Sequence, residues 1–206
     1  MKDRTKEVID MLKFEKELYD RGYEYICGVD EAGRGPLCGP VVAAAVILPQ
    51  NVIIEGVNDS KKLTEKKREE LFSVIKEKAL AVGVGVSDVE TIEEVNILNA
   101  TKLAMKKAVE SLEINPNYVL IDGNQGIDIS IPFSTIVSGD ARSESIAAAS
   151  IIAKVTRDRM LIEYDKKYPE YGLAKHKGYG TKVHIAAIRE YGLTPIHRKS
   201  FCKKFI

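Results

Sequence analysis

Four acidic side chains stand where this 206-residue sequence makes acids expensive. Asp30 and Glu31 lie late in the apolar run "ICGVDEA", Asp122 closes "YVLID", and Asp140 follows "STIVSG". Each has an ordinary explanation when taken alone. Asp122 can open an Asp-Gly turn, and Asp140 can cap the helix after it, which is worth about 1 kcal/mol. Together they are harder to dismiss, because an acid inside an apolar strand has no solvated surface and an unpaired buried carboxylate is very costly. A cation removes that cost. A set built from carboxylates rather than His and Cys suits hard, oxygen-seeking ions, Mg²⁺ or Mn²⁺, over zinc. Two such ions about 4 Å apart can activate a water and stabilise the leaving oxygen of a phosphodiester. Neighbours on a strand point to opposite faces. Asp30 is therefore expected to bridge both metals, and Glu31 to reach one from the strand's end, through its backbone carbonyl or a water.

Positioning such a set requires strands that end together. "EYICGVDEA" and "VVAAAVIL" read as buried strands joined by the Gly/Pro-rich "GRGPLCGP". "LAVGVGVS", "YVLIDG" and "STIVSG" supply three more. A short N-terminal helix is expected from about Lys6 to Tyr19, where Ile9, Leu12 and Leu18 recur among charges. "TEKKREELFSVIKEKA" predicts a helix capped by Thr64, with Glu65 near its positive end. Residues 89–113 predict another, with Leu98, Met105, Ala108 and Leu112 on one face. "DARSESIAAASIIAKVTRDRMLIEYDKKY" reads as one long helix, and "TKVHIAAIREYG" as the last regular one, ending at Gly192. Short apolar strands interleaved with helices imply an α/β layered sheet. Such sheets bind ligands at strand ends and at the starts of following helices, where the four acids fall.

The formal charge is +1, but it is unevenly spread. Residues 175–206 hold eight Lys/Arg against Glu190 alone, so this stretch carries +7 and the remainder −6. A basic tail on an acidic body hints at a phosphate-bearing partner. Cys27, Cys38 and Cys202 lack zinc spacing and fit free thiols in a reducing cytosol. The longest apolar run, "VVAAAVIL", is too short to span a bilayer. With no signal core, repeat or linker, the expectation is one soluble, cytoplasmic, monomeric body with no membrane contact.

Five long segments resemble bacterial ribonuclease HII, the type 2 ribonuclease H. They are "GVDEAGRGPLCGPVVAAAVIL", "NDSKKLTEKKREELF", "IDGN", "SGDARSESIAAASIIAKVTRDR" and "YPEYGLAKHKGYGTKVHIAAIREYGLTPIHRKSF". The resemblance implies a ribonuclease H-like fold, a mixed central sheet of about five strands flanked by helices. It divides the chain into an N-terminal helical extension, 1–22, and a catalytic domain, 23–206, with a helical substrate-binding region at its C-terminal end. The related ribonuclease HIII carries a further N-terminal domain, and the short stretch before the first strand here favours HII. It further implies cleavage, dependent on Mn²⁺ or Mg²⁺, of RNA in RNA–DNA hybrids and nicking beside ribonucleotides embedded in duplex DNA. By motif, the family's catalytic and metal-holding carboxylates fall on Asp30, Glu31, Asp122 and Asp140, its Gly-Arg-Gly on Gly33, Arg34 and Gly35, and its junction-sensing tyrosine on Tyr179.

Physical chemistry gives those positions tasks. The 2′-hydroxyl that marks RNA both donates and accepts hydrogen bonds. A backbone N–H and C=O at Gly33 and Gly35 can read it, because glycine permits close approach, while Arg34 contacts phosphate. The resemblance implies that a Tyr179 ring stacked on a deoxyribose reports a neighbour lacking that hydroxyl; the residues alone fit an ordinary half-buried tyrosine equally well. Asn58, Ser60, Lys61 and Lys62 precede a helix, where amides and lysines favour phosphate. Arg142 and Ser143 suit either phosphate contact or helix capping, and "SIAAASIIA" suits core packing. His176, His184 and His197 fit no metal spacing and receive no catalytic role. The expected chemistry is in-line hydrolysis leaving a 3′-hydroxyl and a 5′-phosphate, with no covalent enzyme intermediate. The rivals are another two-metal nuclease, such as a junction resolvase or exonuclease, and a non-catalytic hybrid-binding module. The full acidic set disfavours the binding module, since it would repel phosphates.

Overall fold

The computed structural model of the chain describes residues 10–58 and 60–206, apart from the side chain of Lys62. The start of the expected N-terminal helix, Lys6 to Ile9, and the Lys62 phosphate contact lie outside the described residues. Five strands form one sheet in the order β3-β2-β1-β4-β5: β1 Ile26–Ala32, β2 Val41–Ile47, β3 Ala81–Ser87, β4 Tyr118–Asp122 and β5 Phe133–Ile136. β1, β2 and β3 form an antiparallel meander, while β4 and β5 run parallel to β1. The sheet is therefore mixed, as expected, and helices cover both faces.

All seven residues of β2 are buried, as a central strand sandwiched between helical layers requires. One face carries Val29, Ala43, Ala45 and Ile121 against α3, Val89–Glu110. The opposite face carries Ala44 and Val46 against α2, Glu65–Lys78, and α4, Glu144–Lys167. Strand alternation thus sends odd residues of β1 and β2 toward α3 and even ones toward α4. The alanines of α4 pack as the sequence suggests, with Ala147 to Ala149 fully buried. Gly28 lets the start of α4 come down onto β1, since a Cβ there would stand 2.1 Å from the Ser145 carbonyl carbon.

Three expectations are corrected. The helix after Ser87 is not continuous: Asn96 breaks α3 at φ 66, ψ 166, and its side chain caps the second half by accepting from the Leu98 and Asn99 amides. The break resets the helical phase, leaving Leu98 exposed while Met105, Ala108 and Leu112 stay buried. The long helix does not begin at Asp140, which sits in a separate 3-10 turn, Gly139–Ala141; Ser143 is the cap of α4. α6, Lys182–Tyr191, is not last, because the short α7, Lys199–Cys202, follows it; α5, Leu173–His176, precedes it. At the N-terminal end, α1, Lys13–Tyr19, packs Leu18 against Ile26, Leu120 and Ile146. Its Glu15 carboxylate accepts from the Ser143 hydroxyl and from the Ser145 amide and hydroxyl. That helix is knit into the sheet's flank.

Candidate active site

β1 and β4 are adjacent and parallel, with Val29 opposite Ile121, so Asp30 and Asp122 sit at neighbouring strand ends. Both have the parity that faces α4. The 3-10 turn that brings Asp140 lies at the same edge, because the Gly139 amide donates to Asp122 Oδ1 at 2.6 Å. Asp30 is buried, and its Oδ1 accepts from the Glu31 amide at 2.7 Å. Burial first, and then the charges of Glu31, Asp122 and Asp140, push its carboxyl well above the ordinary carboxylate range, against the pull of that amide. Glu31 has the opposite parity. Burial raises its carboxyl too; Arg34, 3.3 Å away, opposes this most, Asp122 adds to the rise, and Lys61 opposes it. The four acids therefore share one electrostatic neighbourhood.

A buried acid crowded by three others is the donor set expected of a hard-cation site, and the residues fit such an ion. They do not close into a finished cage. Among the described residues, the only three His, Cys or acidic side chains with ligand atoms all within 4.8 Å of one another are Cys38, His184 and His197. An open arrangement suits ions that keep several waters.

Beside the acids lies a cleft of about 550 Å³. Glu31, Gly33, Arg34, Gly35, Ser60, Lys61 and Tyr179 line it, so most of the expected substrate contacts share one surface. Gly33 adopts φ +99, a conformation that suits glycine. A Cβ there would meet Arg157 Nε at 2.0 Å, whereas one on Gly35 would meet only Tyr179 Cε1, at 3.8 Å. Two buried guanidiniums hold the loop from beneath. Arg198 donates to the carbonyls of Gly33, Arg34, Pro36 and Gly39, and Arg157 to those of Cys38, Pro40 and Lys177. Leu37 and Gly178 then join the loop's far side to the Tyr179 loop through a backbone bond of 2.8 Å.

Ser143 does not belong in the cleft. It is fully buried, capping Ile146 and donating to Glu15, so its hydroxyl has no route to a phosphate. Arg142 is exposed; it donates to the Val137 carbonyl and lies over the Phe14 ring. Asn58 is exposed beside the cleft segment, and Ser60 is buried, its hydroxyl accepting from Ser150. Sequence reasoning missed Ser150 and Lys154, which both line the cleft. Their i, i+4 spacing puts them on one helix face, a signal hidden inside a run that reads as core. It also missed Arg157 and Arg198, whose carbonyl partners no local pattern announces.

The family model described as Ribonuclease HII matches residues 27–204. The chain belongs to the ribonuclease HII family. A ribonuclease HII from Acetivibrio thermocellus is 64% identical over 198 residues, covering 96% of this chain and 77% of that protein. The crystal structure of ribonuclease H2 from Pyrococcus horikoshii OT3 superposes with a TM-score of 0.73 at 31% identity, over 87% of this chain and 96% of that one. Bst-RNase HIII, solved in complex with Mn²⁺, shares the fold at a TM-score of 0.64 and 21% identity, over 93% of this chain and 69% of that one. The ribonuclease HII family cleaves RNA in RNA–DNA hybrids, and this member is an endoribonuclease. No described helix is long and apolar enough to cross a membrane.

Proposed function

We propose that the chain is a divalent-metal-dependent endonuclease that hydrolyses RNA in RNA–DNA hybrids and nicks 5′ of ribonucleotides embedded in duplex DNA. Its products carry 3′-hydroxyl and 5′-phosphate ends. One observation carries this reading: Asp30 is buried among Glu31, Asp122 and Asp140, and Glu31 lines a cleft together with Gly33, Arg34 and Gly35. Asp30, Glu31, Asp122 and Asp140 would hold two Mn²⁺ or Mg²⁺ ions, which supply positive charge to activate a water and ease departure of the 3′-oxygen. With the acids neutralised in this way, the phosphate can approach without repulsion.

The remaining work falls to the protein. Arg198 fixes the carbonyls of Gly33 and Arg34 inward, which supports a rigid loop against which a ribose can be measured. A Cβ on Gly35 would touch only Tyr179 Cε1, at 3.8 Å, so the backbone there leaves room for close sugar approach. Arg34 and Lys61, both lining the cleft, orient the phosphates by charge; Asn58, three residues before Lys61, and Arg142, two residues after Asp140, are further phosphate contacts in this reading. Tyr179, 46% exposed beside Gly35, offers a ring for the next sugar.

The test is a duplex holding one ribonucleotide, incubated with and without Mn²⁺ or Mg²⁺ beside an all-DNA duplex. A nick 5′ of the ribonucleotide, only with the ion and only in the first duplex, is the expected result. Equal cleavage of the all-DNA duplex would move the chain to another two-metal nuclease class. Tight binding without cleavage under any ion would leave a binding module.

A further inference from the structure

Three histidines lie under the Tyr179 loop, and the backbone around them fixes which ring nitrogen carries each proton. The Thr194 amide donates to His197 Nδ1 at 3.0 Å, so that nitrogen bears a lone pair and the proton sits on Nε2. His197 Nε2 lies 3.1 Å from His184 Nε2, which must then accept. The His184 proton is left on Nδ1, 3.0 Å from the Tyr179 carbonyl. His176 completes the cluster: its Nδ1 accepts from the Gly178 amide, its Nε2 faces the Tyr171 carbonyl at 2.8 Å, and its ring stacks on His184 at 4.6 Å. An unbroken run of donors therefore passes from the Thr194 backbone through two buried rings to the Tyr179 carbonyl.

We propose that His184 and His197 are positioning residues for Tyr179, holding its ring at a fixed separation from the Gly33–Gly35 loop and so setting the preference for an isolated ribonucleotide. The proposal rests on the reading of Tyr179 as the sugar-stacking residue given above. The loop needs such a hold, since Lys177, a residue with a Cβ, occupies left-handed backbone at φ 50. The link also reaches further than the loop. His197 adjoins Arg198, whose guanidinium binds the Gly33 and Arg34 carbonyls. One dipeptide thus anchors both surfaces that would touch the nucleic acid. Burial supports neutral rings, since it lowers the pKa of His184 and takes that of His197 down to about 4.

Cys38, His184 and His197 have ligand atoms close enough to suggest a metal ion instead. That ion would need lone pairs on both Nε2 atoms and therefore a proton on His197 Nδ1. The Thr194 amide already points its own hydrogen at that atom. The amide would then face a second donor at 3.0 Å, with only the Thr194 hydroxyl, 2.8 Å from the same nitrogen, left to accept that proton, so the backbone amide opposes a metal here.

The experiment compares kcat/KM on a duplex with one ribonucleotide to kcat/KM on a continuous RNA–DNA hybrid. His184→Leu should lower this ratio about tenfold, because a small misplacement of a contact residue has effects of that order or more. His184→Asn, which keeps an N–H near the Nδ1 position, should restore most of it. In a Tyr179→Ala background, His184→Leu should change the ratio no further. If Tyr179→Ala lowers the ratio and His184→Leu does not, the positioning role is wrong. If Tyr179→Ala leaves it unchanged, the reading of Tyr179 itself fails. The unmodified protein gives a check that needs no variant: ring ¹⁵N spectra should show His184 protonated at Nδ1 and His197 at Nε2. The reverse assignment, or one equivalent of zinc retained through chelation and dialysis, would overturn the relay.

Discussion

Gly35→Ala would separate the proposed sugar recognition from folding, which Gly33→Ala cannot do. The added methyl would meet only Tyr179 Cε1, at an ordinary contact distance of 3.8 Å. No buried group moves, so the change in stability should stay within about 1 kcal/mol, with a small gain from the stiffer unfolded chain. Gly33→Ala is different. Its methyl would stand 2.0 Å from Arg157 Nε and 2.8 Å from the Pro40 carbonyl oxygen, at a φ of +99. Arg157 holds three carbonyls and cannot swing away without leaving them unpaired. Backbone strain and broken bonds to a buried cation together imply a loss of about 3–5 kcal/mol, so any loss of activity would be confounded with unfolding. At Gly35, a ribose pressed against the backbone would be lifted by the methyl and lose a hydrogen bond to its 2′-hydroxyl. A buried bond of that kind is worth about 1–3 kcal/mol, or roughly 5- to 150-fold in kcat/KM. Paired measurements of Tm and of kcat/KM on the single-ribonucleotide duplex read both quantities. A Gly35→Ala protein with native Tm and native kcat/KM would show that the sugar is not read at this loop.

Asp30→Asn should raise the Tm of the ion-free protein at pH 8 by several degrees and reduce cleavage by at least about 100-fold. The raised carboxyl of Asp30 means that the folded state binds more protons than the unfolded one above the ordinary value of 3.8, so wild-type stability falls as pH rises through that range. The Tm advantage of the variant should therefore shrink on acidification, and a variant less stable than wild type at pH 8 would contradict the crowding of the acids. Glu144 is a second buried acid, pushed up to about 7 by burial, against its bond from the Ile54 amide and with help from Glu15. Its contribution is likewise lost as pH rises from about 4.5 through 7. Glu144→Gln should then stabilise the fold at pH 8 by about 1–2 kcal/mol and have little effect at pH 4.5, as followed by thermal melts; an equal effect at both would show that the carboxyl is not raised.

What the sequence reveals depends on where each residue finds its partners. The strands were readable because their apolar runs are local, and the acids because charge within such a run demands a partner. Ser143 and Asp140 are both good caps three residues apart, and the helix starts after Ser143, where distant partners, Glu15 and Gly28, meet its first turn. Asn96 looks like an ordinary residue of a helical stretch until its side chain is seen to restart the helix. Arg157 and Arg198 bind carbonyls 117 and 165 positions away, and carbonyls carry no side-chain signature. The histidines are likewise illegible, because backbone amides and carbonyls, rather than a spacing motif, assign their protons.

The placement of Arg198 has a consequence for synthesis. A ribosome delivers Asp30, Glu31, Asp122 and Asp140 well before it delivers the side chain that tethers Gly33 and Arg34. On the reading proposed above, a growing chain would hold all four acids before the loop proposed to read the sugar gains its second tether, Arg198. Discrimination, if it rests where proposed, would be completed last, by the stretch that carries His197 and Arg198.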